Sequence, residues 1–229
     1  MPTLAETLAA GADELAEFNA LLAQYLDALA ELEQNVVSYV YWVDPVGGDN
    51  TNDGLLSSTA LQTIAAAVAK TPPGSYVLIK LLSDYTMEAS IETGGRMVRI
   101  VGRNSSDVST QRLFNQTVSG GVARRLICQN GGGFQLGYLD IMLTKTTISS
   151  GPAALVSGHQ KSLYLLNCGI DVETGVTTVS VMGQDGISVL EVDTVTALDD
   201  AIAGSWIGGV SSGTNPNTLG KVLTNLATL

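Results

Sequence analysis

The stretch Val46-Gly-Gly-Asp-Asn-Thr-Asn-Asp-Gly54 sets four acidic or amide side chains and three glycines into nine residues. Two readings compete for it: a cation-binding loop, or a corner where the chain turns. A calcium loop of the helix–loop–helix type needs oxygen ligands at alternate positions and a bidentate Glu at its twelfth. Counted from Asp49, Thr51 stands third, Asp53 fifth and Gly54 sixth, but the twelfth residue is Ala60, which offers no carboxylate. The sequence therefore favours a structural corner, in which Asp and Asn bond their own backbone.

The neighbours of this stretch frame it. Before it, Val36-Val-Ser-Tyr-Val-Tyr-Trp-Val-Asp-Pro45 is dense in β-branched and aromatic residues and reads as a strand that stops at Pro45. After it, Ser57 to Lys70 reads as a short helix. Ser58 or Thr59 is placed to cap it, with Leu61, Ile64, Ala65 and Val68 on one face. Thr71-Pro-Pro-Gly74 ends the helix, and Ser75 to Leu82 reads as the next strand.

Val43-Asp44, Gly48-Asp49, Asn52-Asp53-Gly54, Thr63-Ile64, Ala67-Val68 and Pro73-Gly74 together resemble the entry segment of right-handed parallel β-helix proteins. These are the pectate-lyase-like folds, found in phage tail fibres and tailspikes and in some polysaccharide-degrading enzymes. The resemblance covers roughly residues 40–102 and speaks to fold more than to activity. It implies that Asp49, Asn52, Asp53, Gly54, Ile64 and Val68 belong to a strand, loop and short helix that close the end of a β-helix.

Downstream, short apolar segments recur between glycines and polar turns, among them Met97–Gly102, Leu136–Thr144, Ser162–Val172 and Ile187–Val195. Strands this short, without intervening helices, fit β-helix rungs or an all-β sandwich, and the resemblance tips the choice toward the β-helix. Residues 75–196 would supply about five rungs at about 4.8 Å each. At the far end, Thr218 to Leu229 places Leu219, Val222, Leu223 and Leu226 at helical spacing, which predicts an amphipathic helix covering the last rung or a partner.

Upstream lies a different pattern. Leu4, Leu8, Leu15, Phe18, Leu22, Tyr25, Leu29, Leu32 and Val36 recur at steps of four and three, with Gly11 as the single break. A strict seven-residue repeat is the mark of a left-handed supercoil, here about 50 Å long. Bulky Phe18 and Tyr25 at d sites, and the stripe widened by Leu21 and Leu26, point to more than two strands. The expectation is a parallel homotrimer. The domain reading is thus a coiled-coil stalk over 1–36, an entry strand, turn and capping helix over 37–74, a β-helix body over 75–196 and a C-terminal cap or tip over 197–229. The fold class is mainly β.

Composition bounds the function. Net charge is −11, and the first basic residue is Lys70, so nucleic-acid binding is not expected. Mean hydropathy is +0.25, yet no run of about 18 apolar residues exists, so no membrane insertion is expected. No basic region followed by an apolar core opens the chain, so no signal peptide is expected. With His159 the single histidine, and Cys128 and Cys168 spaced as buried thiols, no zinc site and no cofactor is expected.

Catalysis on such a scaffold would use paired carboxylates, or acids beside Lys or Arg. Asp171 with Glu173 and Glu191 with Asp193 alternate along strands, with Lys145, Lys161 and His159 near them in sequence. Acids alternating with apolar residues are also what a solvent-facing strand shows, and that reading is preferred. Tyr39, Tyr41 and Trp42 are read as packing at the junction of stalk and body. Trp206, in a glycine-rich segment, is the candidate for an exposed glycan contact. The combined expectation is a virion structural protein, a tail-fibre or spike component assembled in the host cytoplasm. Its partners would be its own copies, other virion proteins and host surface polysaccharide. The alternatives are a polysaccharide hydrolase or lyase, and a purely structural connector or decoration protein.

Overall fold

In the computed structural model the described residues are 38–119, 121–144, 153–173, 179–199, 202 and 206–229. The predicted stalk residues, from Leu4 to Val36, lie outside them, as does Lys145. Ser38–Leu229 is a unit of its own.

The chain runs in repeated circuits. It enters through strand β1 (Ser38–Val43), and after the corner and helix α1 (Ile64–Ala69) the first circuit is β2 (Tyr76–Leu81), β3 (Tyr85–Thr86) and β4 (Ile91–Glu92). The second is β5 (Met97–Gly102), β6 (Arg112–Asn115), a small hairpin of β7 (Val118–Ser119) and β8 (Val122–Ala123), then β9 (Leu126–Ile127). The third is β10 (Gly133–Gly137), β11 (Leu139–Leu143) and β12 (Ala153–Ser157). The long β13 (Gln160–Val172) and β14 (Val179–Met182) make the fourth, and β15 (Ile187–Leu198) with a bridge at Ile207 the fifth. Strand β16 (Val222–Thr224) closes the series.

Equivalent strands of successive circuits pair in parallel, forming three columns. The first is β1-β2-β5-β10-β13-β15-β16, and the third is β4-β9-β12-β14. The second runs β3-β6-β11 and continues on the far half of β13, so the first two columns join as one ten-stranded sheet. The chain is mainly β, and among the described residues α1 is the one α-helix. No described helix is long and apolar enough to cross a membrane.

The alternation of these strands explains the stacking. In Tyr76-Val-Leu-Ile-Lys-Leu81 and Met97-Val-Arg-Ile100 every second residue is a large aliphatic, so one face is apolar. Register then puts like over like: Val77, Val98, Phe134, Leu163 and Leu190 form one inward stack, each at most 1% exposed. Ile79, Ile100, Leu136 and Leu165 form a second. The middle column contributes Tyr85, Phe114, Ile141 and Ile170, and the third Ile91, Leu126, Val156 and Met182. At about 1.5–3 kcal/mol for each fully buried aliphatic or Phe, these stacks dominate the stability of the unit. A one-residue slip would turn a whole stack to solvent, which pins the register.

Corners between the first two columns come from single left-handed residues. Tyr138, at φ 55°, sits between β10 and β11, and Asn167, at φ 50°, bends β13 at the equivalent place. Tyr138 N–H donates to the Leu166 carbonyl at 3.0 Å, so the two corners stack.

Three sequence expectations are corrected. Helix α1 is capped by Thr63, whose Oγ1 accepts from Ala66 N–H at 3.2 Å, and not by Ser58 or Thr59. Leu61, expected on the helix, instead bridges to Val43, because the free edge of β1 recruits this segment before the helix starts. The C-terminal amphipathic helix is replaced by strand β16, which pairs in parallel with β15. The open edge of β15 presents a row of unpaired backbone groups. Filling them outweighs a helix propensity already weakened by Gly220 and three threonines between Thr218 and Thr228. The Asn225 amide extends the pairing, donating to Val192 O at 2.7 Å and accepting from Val192 N–H at 3.0 Å.

Candidate functional site

The entry corner is held by its own polar groups. Asp49 Oδ1 accepts from Thr51 N–H and from the Thr51 hydroxyl, both at 2.8 Å. Asp53 Oδ1 accepts from Leu55 N–H at 3.0 Å and the Thr59 hydroxyl at 2.6 Å, and Asn52 Nδ2 donates to Ala60 O at 3.0 Å. The Gly54 carbonyl accepts from Trp42 N–H at 2.7 Å, on the edge of β1, while Ile64 and Val68 are buried beneath. Asn50, which the sequence reading did not single out, ties the corner to the helix by accepting from Gln62 N–H and Thr63 N–H at 3.0 Å each. Hydrogen bonds from the Thr59 hydroxyl and Leu55 N–H hold the Asp53 carboxyl below the usual range, and those from Thr51 do the same for Asp49. One carboxylate oxygen each of Asp49 and Asp53, and the Asn50 side-chain oxygen, are thus turned onto the chain itself, and among the described residues no group of three or more His, Cys, Asp or Glu is placed to hold a metal.

Three of the four candidate acids, Asp171, Glu173 and Asp193, accept hydrogen bonds from the chain itself. Glu173 accepts a short hydrogen bond from the Thr144 hydroxyl. Asp171 lines a shallow groove with Asp140, whose Oδ1 is bonded by Gln111 Nε2 at 2.9 Å. Asp193 accepts from the Tyr164 hydroxyl at 3.1 Å, across neighbouring strands of the first column. Lys161 is 1% exposed and donates to Gly158 O at 3.1 Å, with desolvation lowering its pKa. An ammonium enclosed in that way does not meet a surface substrate. His159 is exposed.

The aromatic candidates are packed. Tyr41 and Trp42 are buried, and the Lys80 ammonium lies 4.8 Å from the centroid of the Trp42 ring. Trp206 is 7% exposed, which corrects the expectation of an exposed contact there. The cause is backbone pairing: Trp206 O accepts from Met182 N–H and Gly208 N–H donates to Met182 O, both at 2.8 Å. These bonds lay Ile207 against β14 and draw the indole into the core.

Burying Trp206 shapes a site on the next residues. Ile207, Gly208, Gly209 and Val210 form one wall of a cleft of about 490 Å³, with Gln184, Gly186 and Ser188 on a second and Thr218 to Val222 on a third. Ile207, Val210, Leu219 and Val222 give it apolar patches, and among the described residues Lys221 is the one charged side chain in its lining. Ser188 is 2% exposed, while Gln184 and Lys221 are exposed. Ser188 N–H donates to Lys221 O at 2.8 Å, which fixes the two walls together. Sequence reasoning missed this cleft, because its glycines look like any turn glycines and its walls come from segments that only the stacking of circuits brings together.

No protein-family model, curated protein or solved structure matches the chain.

Proposed function

We propose that the chain is a structural protein of a virion, a tail-fibre or spike component that takes part in attachment to the host surface. In this reading residues 38–229 are a short right-handed parallel β-helix. Residues 1–36 join three copies as a parallel coiled coil.

The observation that carries the reading is the three-column stack of parallel strands, with unbroken inward ladders from Val77 to Leu190. Such a stack is stiff along its axis, since each circuit rests on the next through backbone hydrogen bonds and an apolar ladder. The entry corner supports it further by covering the free edge of β1, which otherwise invites edge-to-edge association. The heptads from Leu4 to Val36 add a means of holding three such bodies in register, and three copies multiply a weak grip on a repeated surface glycan.

The test is the mass in solution by light scattering, for the full chain and for a version lacking residues 1–36. A full-length particle of three 23.8 kDa chains that falls to one chain on truncation supports the reading. A full-length monomer rejects it. Binding of the trimer to host surface polysaccharide then separates an attachment protein from a connector that holds no ligand.

A further inference from the structure

We infer that the cleft between Gln184, Ser188, Ile207–Val210 and Lys221 is a saccharide subsite that takes a carboxylate-bearing sugar. The inference rests on the attachment reading above and names the ligand class and the residues that would carry it.

Three features of the cleft converge. Its volume of about 490 Å³ falls within the range of small-ligand sites, and its walls alternate apolar patches with isolated polar groups. That mixture suits a ring with apolar C–H faces and hydroxyl edges better than it suits a lipid tail, which would leave the polar groups unpaired. Second, Ser188 sets a hydroxyl into the lining, and the exposed Gln184 amide adds a donor and an acceptor.

Third, the charge of the lining runs against the charge of the chain. The protein carries −11 net, but among the described residues no carboxylate lines the cleft, and the Lys221 ammonium does. Screening confines the repulsion of distant acids to about 8 Å at physiological salt, so the ammonium governs what the cleft prefers. A sugar carboxylate would meet Lys221, with ring hydroxyls toward Gln184 and Ser188 and the C–H face on Ile207 and Val210.

The experiment uses the full-length protein and two probes, a galacturonate tetrasaccharide and an uncharged glucan tetrasaccharide, in titration calorimetry and saturation-transfer NMR. At physiological salt, where the distant acids are screened, the galacturonate probe is expected to bind more tightly, by about threefold. Gln184→Ala and Lys221→Ala are each expected to weaken it about tenfold without moving the melting temperature. Tyr164→Phe, on the outer face of the first column, is expected to leave it unchanged. Failure of both probes to bind, or binding untouched in the Gln184→Ala/Lys221→Ala double variant, overturns the inference. Retention on host cells, measured with the same proteins, separates the two claims. Cell binding that ignores the double variant removes the cleft and leaves the attachment reading. Probe binding without cell binding removes the attachment reading and leaves the subsite.

Discussion

Tyr85 and Phe114 stack within the middle column, their ring centroids 5.6 Å apart and their planes inclined by 15°. They are register partners on consecutive circuits, and Ile141 follows beneath Phe114. The pair couples the first circuit to the second where strand pairing is short. Phe114→Ala should therefore cost about 3–5 kcal/mol, and Phe114→Leu under about 1.5 kcal/mol. Urea denaturation followed by circular dichroism measures both, and equal losses would mean that the ring is not a packing element.

Gly54 has φ +76°, and a Cβ there would meet the Leu61 side chain at 2.8 Å and the Tyr41 ring at 3.1 Å. Gly74 has φ +81°, but a Cβ there would meet nothing within 4 Å. Gly74→Ala should show backbone strain alone, about 1 kcal/mol, while Gly54→Ala adds overpacking and should lose about 2–4 kcal/mol. Thermal melts of the two variants compare them directly.

Leu223 is 66% exposed on β16, whereas Leu190, its neighbour's partner on β15, is fully buried. Leu223→Lys should change stability by less than about 0.5 kcal/mol, and Leu190→Ala should cost about 2–5 kcal/mol. A large loss at Leu223 would restore the helical reading of the C-terminal segment.

The Asp53 carboxyl is held below its ordinary value by the Thr59 hydroxyl and Leu55 N–H, so its folded pKa lies below its unfolded one. Its contribution is then complete above the unfolded value of about 4 and is lost as pH falls through the folded value. Asp49 follows the same sign. Urea midpoints should hold steady from pH 6 to pH 4 and fall below it, and Asp53→Ala should fall less steeply there.

Cys168 is buried, and that burial pushes its thiol up to about 11. At pH 8 the thiolate fraction is then about a thousandth, so a disulfide reagent should modify Cys168 slowly in the native protein and at once in denaturant. Cys128, also buried with its thiol raised, should behave alike. Rapid native labelling at Cys128 or at Cys168 would mean that the third or the second column, respectively, opens.

Much of this architecture was legible because strands announce themselves by a period of two. Tyr76–Leu81 alternates strictly and Met97–Ile100 follows it, so their inward faces can be read without coordinates, whereas Val101 and Gly102 are buried out of period. The corner from Gly48 to Gly54 was legible for a related reason, since Asp, Asn and Gly act on their own backbone within a few residues. Thr63 was harder: Ser58, Thr59 and Thr63 can all cap by residue type, and only the pairing of Leu61 with Val43 decides where the helix begins. Trp206 was misjudged because flanking glycines suggest exposure, while its carbonyl is in fact claimed by Met182 on an earlier circuit.

What the sequence determined by itself, then, is what short range can determine: which residues alternate, where the chain turns, and that the described body is mainly β. What only the tertiary structure decided is which strand lies on which. Register between circuits depends on contacts far apart in the chain, and it alone sets Leu163 over Phe134, makes Val222–Thr224 an edge strand within the stripe read as helical, and brings Gln184, Ser188 and Lys221 around one cleft. The physical reason is that local patterns fix the face a side chain presents, whereas the free energy of an open sheet edge is settled by whichever segment reaches it.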